Sequence, residues 1–153
     1  MNEHHLLGID YGESKIGLAI SEHGEIAHEY KTIIKPASRV IAIKEILTIC
    51  EAEHIETVVI GIPQLLGQAA QRNHTYTEHL ARIYKFGKQI KRLATDKGMP
   101  LDVYYENEQF TTILAKTFHA KDDDKKAAEL ILQGFIDKKR LRTQQSNPDG
   151  IST

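Results

Sequence analysis

The sequence predicts an α/β fold: a mixed five-stranded sheet with helices on both faces. Three observations predict it. Two short apolar runs, LLGIDY and IGLAIS, stand a hairpin's length apart near the start of the chain. Two later apolar runs, TVVIGIP and LDVYYE, are separated by helical periodicity instead. The element order β β β α β α β α α then joins a hairpin-built sheet to strands that alternate with helices.

Each element follows from local pattern. Residues 6–11 and 16–21 are the first two strands, linked by the turn around GESK. Residues 26–34 form a weaker third strand, and Pro36 then breaks the chain. Ser38 is placed to cap a helix over 39–53, with Ile43, Ile46, Leu47 and Cys50 on one face. Residues 57–63 are continuously apolar and end in Gly-x-Pro, the mark of a strand buried on both faces. A polar loop over 64–73 leads to a long helix over 75–97, with Leu80, Ile83, Phe86, Ile90 and Leu93 as its apolar stripe. Gly98 and Pro100 end that helix. Residues 101–106 form the fifth strand, residues 111–118 a short helix, and a last helix starts near Asp123 or Asp124. Residues 1–140 are expected to form one domain, and 141–153, which have no apolar pattern, a flexible tail.

Composition narrows the function classes. The chain has 153 residues, 41% hydrophobic and 27% charged, with a net charge of −1. A uniformly basic nucleic-acid binder is excluded, so any nucleic acid must meet a local patch. The one cysteine, Cys50, precludes an internal disulfide and fits a reducing, cytoplasmic setting. No signal peptide is visible, and no apolar run approaches the roughly 20 residues of a membrane span.

The chemistry sits in the acids. Asp10 lies near the end of the first strand, Glu106 and Glu108 follow the fifth, and Asp122 to Asp124 precede the last helix. Ligands of such sheets bind at the carboxyl ends of strands. Three converging carboxylates repel unless a cation offsets them, and hard oxygen donors suit Mg²⁺ or Mn²⁺. Two such ions about 4 Å apart can clamp the attacking and leaving oxygens of a phosphodiester. Each acid also has a plainer reading: Asp10 as a turn former, Glu108 as an acid favoured by a helix dipole, Asp122 to Asp124 as a helix cap. Basic residues offer phosphate contacts. Lys85, Lys88 and Arg92 share a side of the long helix with Arg82 adjoining, and KKRLR closes the last helix. Lys15 and Gly12 stand in the turn beside Asp10, and Arg72 lies in the loop after the fourth strand. His74 and His79 are five apart and miss the spacing of a helical zinc pair.

The motifs GIDYGxxxIGLAI, VVIGIP, ENEQFTT and DKKAAELILQGFID, in this order over residues 6–137, resemble the YqgF family of Holliday-junction-resolvase-like proteins and pre-16S rRNA nucleases. The resemblance implies an RNase H-like fold. It also implies a cytoplasmic hydrolase that trims the 5′ end of pre-16S rRNA in ribosome biogenesis, at an acidic, divalent-metal site. On that resemblance the catalytic and metal-holding residues are Asp10, Glu108 and Asp124, with two Mg²⁺ or Mn²⁺ ions. Gly12, Lys15, Arg72, Lys85 and Lys88 are the candidates for nucleic-acid contact. The partner is structured RNA or branched DNA, and the protein a monomer or homodimer. The family's Asp-Glu-Arg reads Asn107-Glu108-Gln109 here, losing an acid and a guanidinium. Two alternatives stay open: a nucleic-acid-binding module with weakened catalysis, and a phosphate hairpin like that of sugar kinases and actin-like ATPases.

Overall fold

The structure, a computed structural model, describes residues 4–12, 14–34, 38–63, 74–108 and 123–146. Its elements are β1 (Leu6–Tyr11), β2 (Lys15–Ser21), β3 (His28–Ile34), α1 (Arg39–Ala52), β4 (Thr57–Pro63), α2 (His74–Asp96), β5 (Asp102–Glu108) and α3 (Asp123–Ser146). The strands form one sheet in the order β3-β2-β1-β4-β5. β2 is antiparallel to β1 and to β3, while β1, β4 and β5 run parallel. β1 is central, and residues Leu6 to Ile9 are paired on both sides, to β2 and to β4.

Strand alternation sorts the core onto two faces. Leu7, Ile9, Leu18, Val58 and Ile60 pack with Ile43, Ile46 and Leu47 of α1 and with Ile83, Phe86 and Ile90 of α2. Leu6, Ala19 and Val59 pack with Ala128, Ile131, Leu132 and Ile136 of α3 on the other face. Each Leu, Ile, Val or Phe side chain among these contributes about 1.5–3 kcal/mol by leaving water. Gly8 has a specific role here: a Cβ on it would stand 2.8 Å from both the Ala128 carbonyl oxygen and the Leu132 Cβ. The missing side chain is what lets α3 lie directly on β1.

Helix ends follow local chemistry. The Ser38 hydroxyl accepts from the Ile41 N–H at 3.1 Å and starts α1. α1 stops where His54 turns left-handed (φ 55°), and α2 where Gly98 does (φ 73°). The Met99 N–H then closes on the Ala94 carbonyl at 2.8 Å.

Departures from the sequence reading are local. The third strand starts at His28, because Ile26 is 62% exposed and outside the ladder. The fifth strand runs two residues past the expected end at 106, since Glu106, Asn107 and Glu108 pair with Gly61, Ile62 and Pro63. The last helix continues to Ser146, past the expected boundary at 140, with residues 141–144 exposed. The expected helix over 111–118 lies outside the described residues.

Candidate functional site

Because β1, β4 and β5 are parallel, their carboxyl ends share one edge of the sheet. Asp10 is the penultimate residue of β1, opposite Gly17 of β2 and half-buried. Glu108 ends β5 opposite Pro63, the last residue of β4. α3 approaches the same edge from the far side of the sheet. Ala128 and Leu132 lie over Gly8, while Ile136, Lys139 and Thr143 line a cavity with Leu6 and His4. So α3 runs opposite to β1, and its first turn, holding Asp123 and Asp124, lies toward the carboxyl end of β1. Alternation puts Asp10 on the α3 face with Leu6 and Gly8. Thus Asp10 and positions 108 and 124, far apart in sequence, belong to one end of the fold. The side chains of Glu108, Asp123 and Asp124 are outside the described residues. Among the described residues no three Asp, Glu, His or Cys side chains stand close enough to hold a metal.

Glu106, expected at the end of the fifth strand, lies within β5, opposite Gly61, and is 7% exposed. The Lys138 ammonium of α3 donates to its carboxylate. Gly134, one turn earlier, leaves room for that carboxylate, with only a 3.9 Å contact from a notional Cβ. Glu106 is therefore a neutralised buried acid that ties α3 to β5.

The basic candidates divide. A Cβ at Gly12 would lie 2.6 Å from the Lys15 carbonyl oxygen, so the turn tolerates only glycine there. Lys15 begins β2 and is exposed. Lys85, Lys88 and Arg92 are exposed on α2, and Arg82 is half-buried with Glu78 3.8 Å away. Arg72 lies outside the described residues. Arg39, the first residue of α1, was not singled out by sequence. With Arg82, Tyr11, Gly12, Ile16, Ser38 and Ala42 it lines a cavity of about 250 Å³ beside the end of β1. Its one sequence signal is its place directly after the capping Ser38. Cys50 is core: burial, with Glu51 nearby, pushes its thiol up from 9.0 to about 12. It is no nucleophile at neutral pH.

Comparison with known proteins brings in function. A family model described as "RuvX: Holliday junction resolvase" matches residues 4–138. A Rickettsia felis protein named "Putative pre-16S rRNA nuclease" is 32% identical over 143 residues, covering 86% of this chain and 85% of that one. A Clostridium botulinum protein of the same name is 28% identical over 142 residues, covering 86% and 96%. Among solved structures, T. thermophilus RuvC in complex with a Holliday junction substrate superposes with a TM-score of 0.54 at 12% identity, covering 90% of this chain and 96% of that one. Fowlpox virus resolvase, in complex with Holliday junction DNA, gives 0.52 at 10% identity, covering 88% and 97%. These structural likenesses show the resolvase-type, RNase H-like fold.

Proposed function

Because the chain belongs to the RuvX family of Holliday junction resolvases, a family of nucleases, we propose that it is a metal-dependent endonuclease that hydrolyses phosphodiester bonds of structured nucleic acid, its substrate the 5′ region of pre-16S rRNA. The reading puts its work in the cytoplasm, in ribosome biogenesis. The supporting observation is topological: the carboxyl ends of β1 and β5 and the amino end of α3 meet at one edge of the sheet.

Asp10, Glu108 and Asp124 would hold the ions. This donor set fits Mg²⁺ or Mn²⁺, being all hard oxygen and free of thiol or imidazole. Such ions would supply activation of water and neutralisation of charge on the phosphate. The rest belongs to the chain. Asp10 sits on the central strand, paired to Gly17 of β2 and one residue beyond the stretch that is paired on both sides. The Gly12 turn keeps side-chain bulk away from the approach beside it, and Lys15 brings a positive charge to that approach. Lys85 and Lys88 extend the positive surface along α2.

The test is cleavage of a 5′-extended 16S rRNA fragment with Mg²⁺ or Mn²⁺, wild type against Asp10→Asn. The variant should lose more than about 100-fold in rate and keep its unfolding midpoint. Undiminished cleavage by Asp10→Asn would refute the metal site. A second reading, resolution of branched DNA, is favoured by the likeness to RuvC and the fowlpox resolvase. A four-way DNA junction in the same assay separates the two.

A further inference from the structure

The amino ends of β1, β4 and β5 share the edge of the sheet opposite the candidate site. Two cavities adjoin the second half of α3 there, one toward β5 and one toward the turn at Gly24, and His4 and Lys139 line both. The first, of about 440 Å³, arises because α3 seats on β1 while β5 lies two strands away at the edge of the sheet. The α3 face of β5 is therefore only partly covered. Tyr104 is 49% exposed there, its ring centroid 5.5 Å from that of Phe135 on α3, and both rings line the cavity. The charged lining is balanced: Glu56, Asp102 and Glu106 with Lys138, Lys139 and Arg142. An aromatic surface among donors and acceptors matches a nucleobase, which has a π face and a polar edge. A bare phosphate would be repelled by the carboxylates.

The second cavity, of about 390 Å³, has a different balance. Lys139 and Arg140 line it, with no Asp or Glu among the described residues that do. Both side chains are exposed, and neither has an ion pair or hydrogen bond among the described residues. Lys138, which donates to Glu106, and Arg142, which has a partner of its own, are not available in this way. Asp137, the acid one turn before Arg140, accepts from the Gln133 side chain at 3.0 Å. Two unpaired cations with no acid in the lining suit a phosphate. Since Lys139 belongs to both cavities, a base in the first puts its own phosphate at the second.

We propose that the two cavities form a subsite for one unpaired nucleotide of the substrate strand, its base stacked on Tyr104 and Phe135 and its phosphate held by Lys139 and Arg140. A base inside a duplex is stacked on both faces and cannot enter, so the subsite selects single-stranded nucleic acid that flanks a structured part. This deepens the nuclease reading and rests on it for the ligand being nucleic acid. Positions 124 and 139 are 15 residues apart in α3, about 22 Å along its axis. The nucleotide held here is thus remote from the bond cleaved.

Binding is measured in EDTA by fluorescence anisotropy, between about 50 and 200 mM salt. The probes are a labelled blunt RNA duplex, the same duplex with a single-stranded tail at its 5′ or its 3′ end, and the DNA equivalents, with AMP as competitor. The tail should tighten wild-type binding at least about fivefold. Tyr104→Ala should remove that gain and Tyr104→Phe keep it. Lys139→Gln with Arg140→Gln should lower the log–log salt slope for the tailed probe by about 0.7 per contact, a slope that Tyr104→Ala leaves unchanged. Lys44→Gln, exposed on α1, should alter neither. If Tyr104→Ala is unfolded by circular dichroism, Tyr104→Leu, which keeps apolar packing but has no π face, carries the same test. A gain from RNA tails alone assigns the strand to RNA, from DNA tails alone to DNA, and from both to either. No gain from a tail, an equal gain in Tyr104→Ala, or a wild-type slope in the Lys139 and Arg140 variant would overturn the subsite and leave Asp10-dependent cleavage standing. Competition by AMP as tight as that of the tailed strand would overturn it in favour of a free nucleotide. A tail gain lost in Tyr104→Ala, in a protein that cleaves nothing, would remove the nuclease and leave the subsite.

Discussion

Gly8→Ala tests the seating of α3 on β1, on which the candidate site depends. The new Cβ would lie 2.8 Å from the Ala128 oxygen and the Leu132 Cβ, where ordinary contact begins at 3.4 Å, so α3 must withdraw about 0.6 Å. Overpacking of this kind costs about 1–3 kcal/mol. At about 2–4 °C per kcal/mol for a chain of this size, Tm should fall by about 2–12 °C. The opposing effect, a stiffer unfolded chain, is only about 0.4–1 kcal/mol. Activity should fall as well. A misplacement of about 1 Å can reduce rate about 100-fold, so a shift of about 0.6 Å of the helix carrying Asp124 predicts about a tenfold loss in kcat. The assays are thermal unfolding and single-turnover cleavage. Gly134→Ala is the contrast: inside α3, its Cβ meets only the Glu106 carboxylate at 3.9 Å, so helix propensity should raise Tm. An unchanged or raised Tm in Gly8→Ala would refute the close seating.

Lys138→Met removes the partner of buried Glu106. Breaking a buried pair costs about 3–5 kcal/mol; the Lys138 side chain is 45% exposed, which reduces the expected loss in urea unfolding to about 1–3 kcal/mol. Adding Glu106→Met should recover most of it, and a double variant as unstable as the single one would contradict the pairing. Cys50, with its thiol pushed up to about 12, should react with iodoacetamide at pH 8 about 1,000-fold more slowly than a free thiol until the protein unfolds. The same shift sets a pH trend. The unfolded thiol ionises from 9.0 upward while the folded one holds its proton to about 12, so this contribution is whole below pH 9.0 and lost as pH rises toward 12. Stability of Cys50→Ala should show less of that alkaline decline; an equal decline would assign it elsewhere.

The parts legible in the sequence were those governed by short-range pattern. β1, β4 and α1 matched to within a residue, because hydrophobic period and the Ser38 cap are local signals. The end of β5 was not legible. Asn107-Glu108 has the composition of a loop, and it becomes strand only because Ile62 and Pro63 lie alongside. Nor was the burial of Glu106, which depends on Lys138, 32 residues later. The acids of the candidate site were found by their order along the chain, but only the reversed direction of α3 over β1 puts positions 10 and 124 at one end of the fold. The basic cavity was missed because Arg39 and Arg82 come from different helices, and neither is distinctive alone.

The seating of α3 over the central strand also sets a time at which the enzyme can first exist. β1 is made before α3, so the proposed acids at 10 and 124 cannot be neighbours until synthesis has passed residue 132. A nascent chain would hold Asp10 on an uncovered sheet, with Leu6, Ala19 and Val59 open to water. On the proposed site, a nuclease assembled this way is silent until α3 has been made. It becomes active only when its closing helix docks.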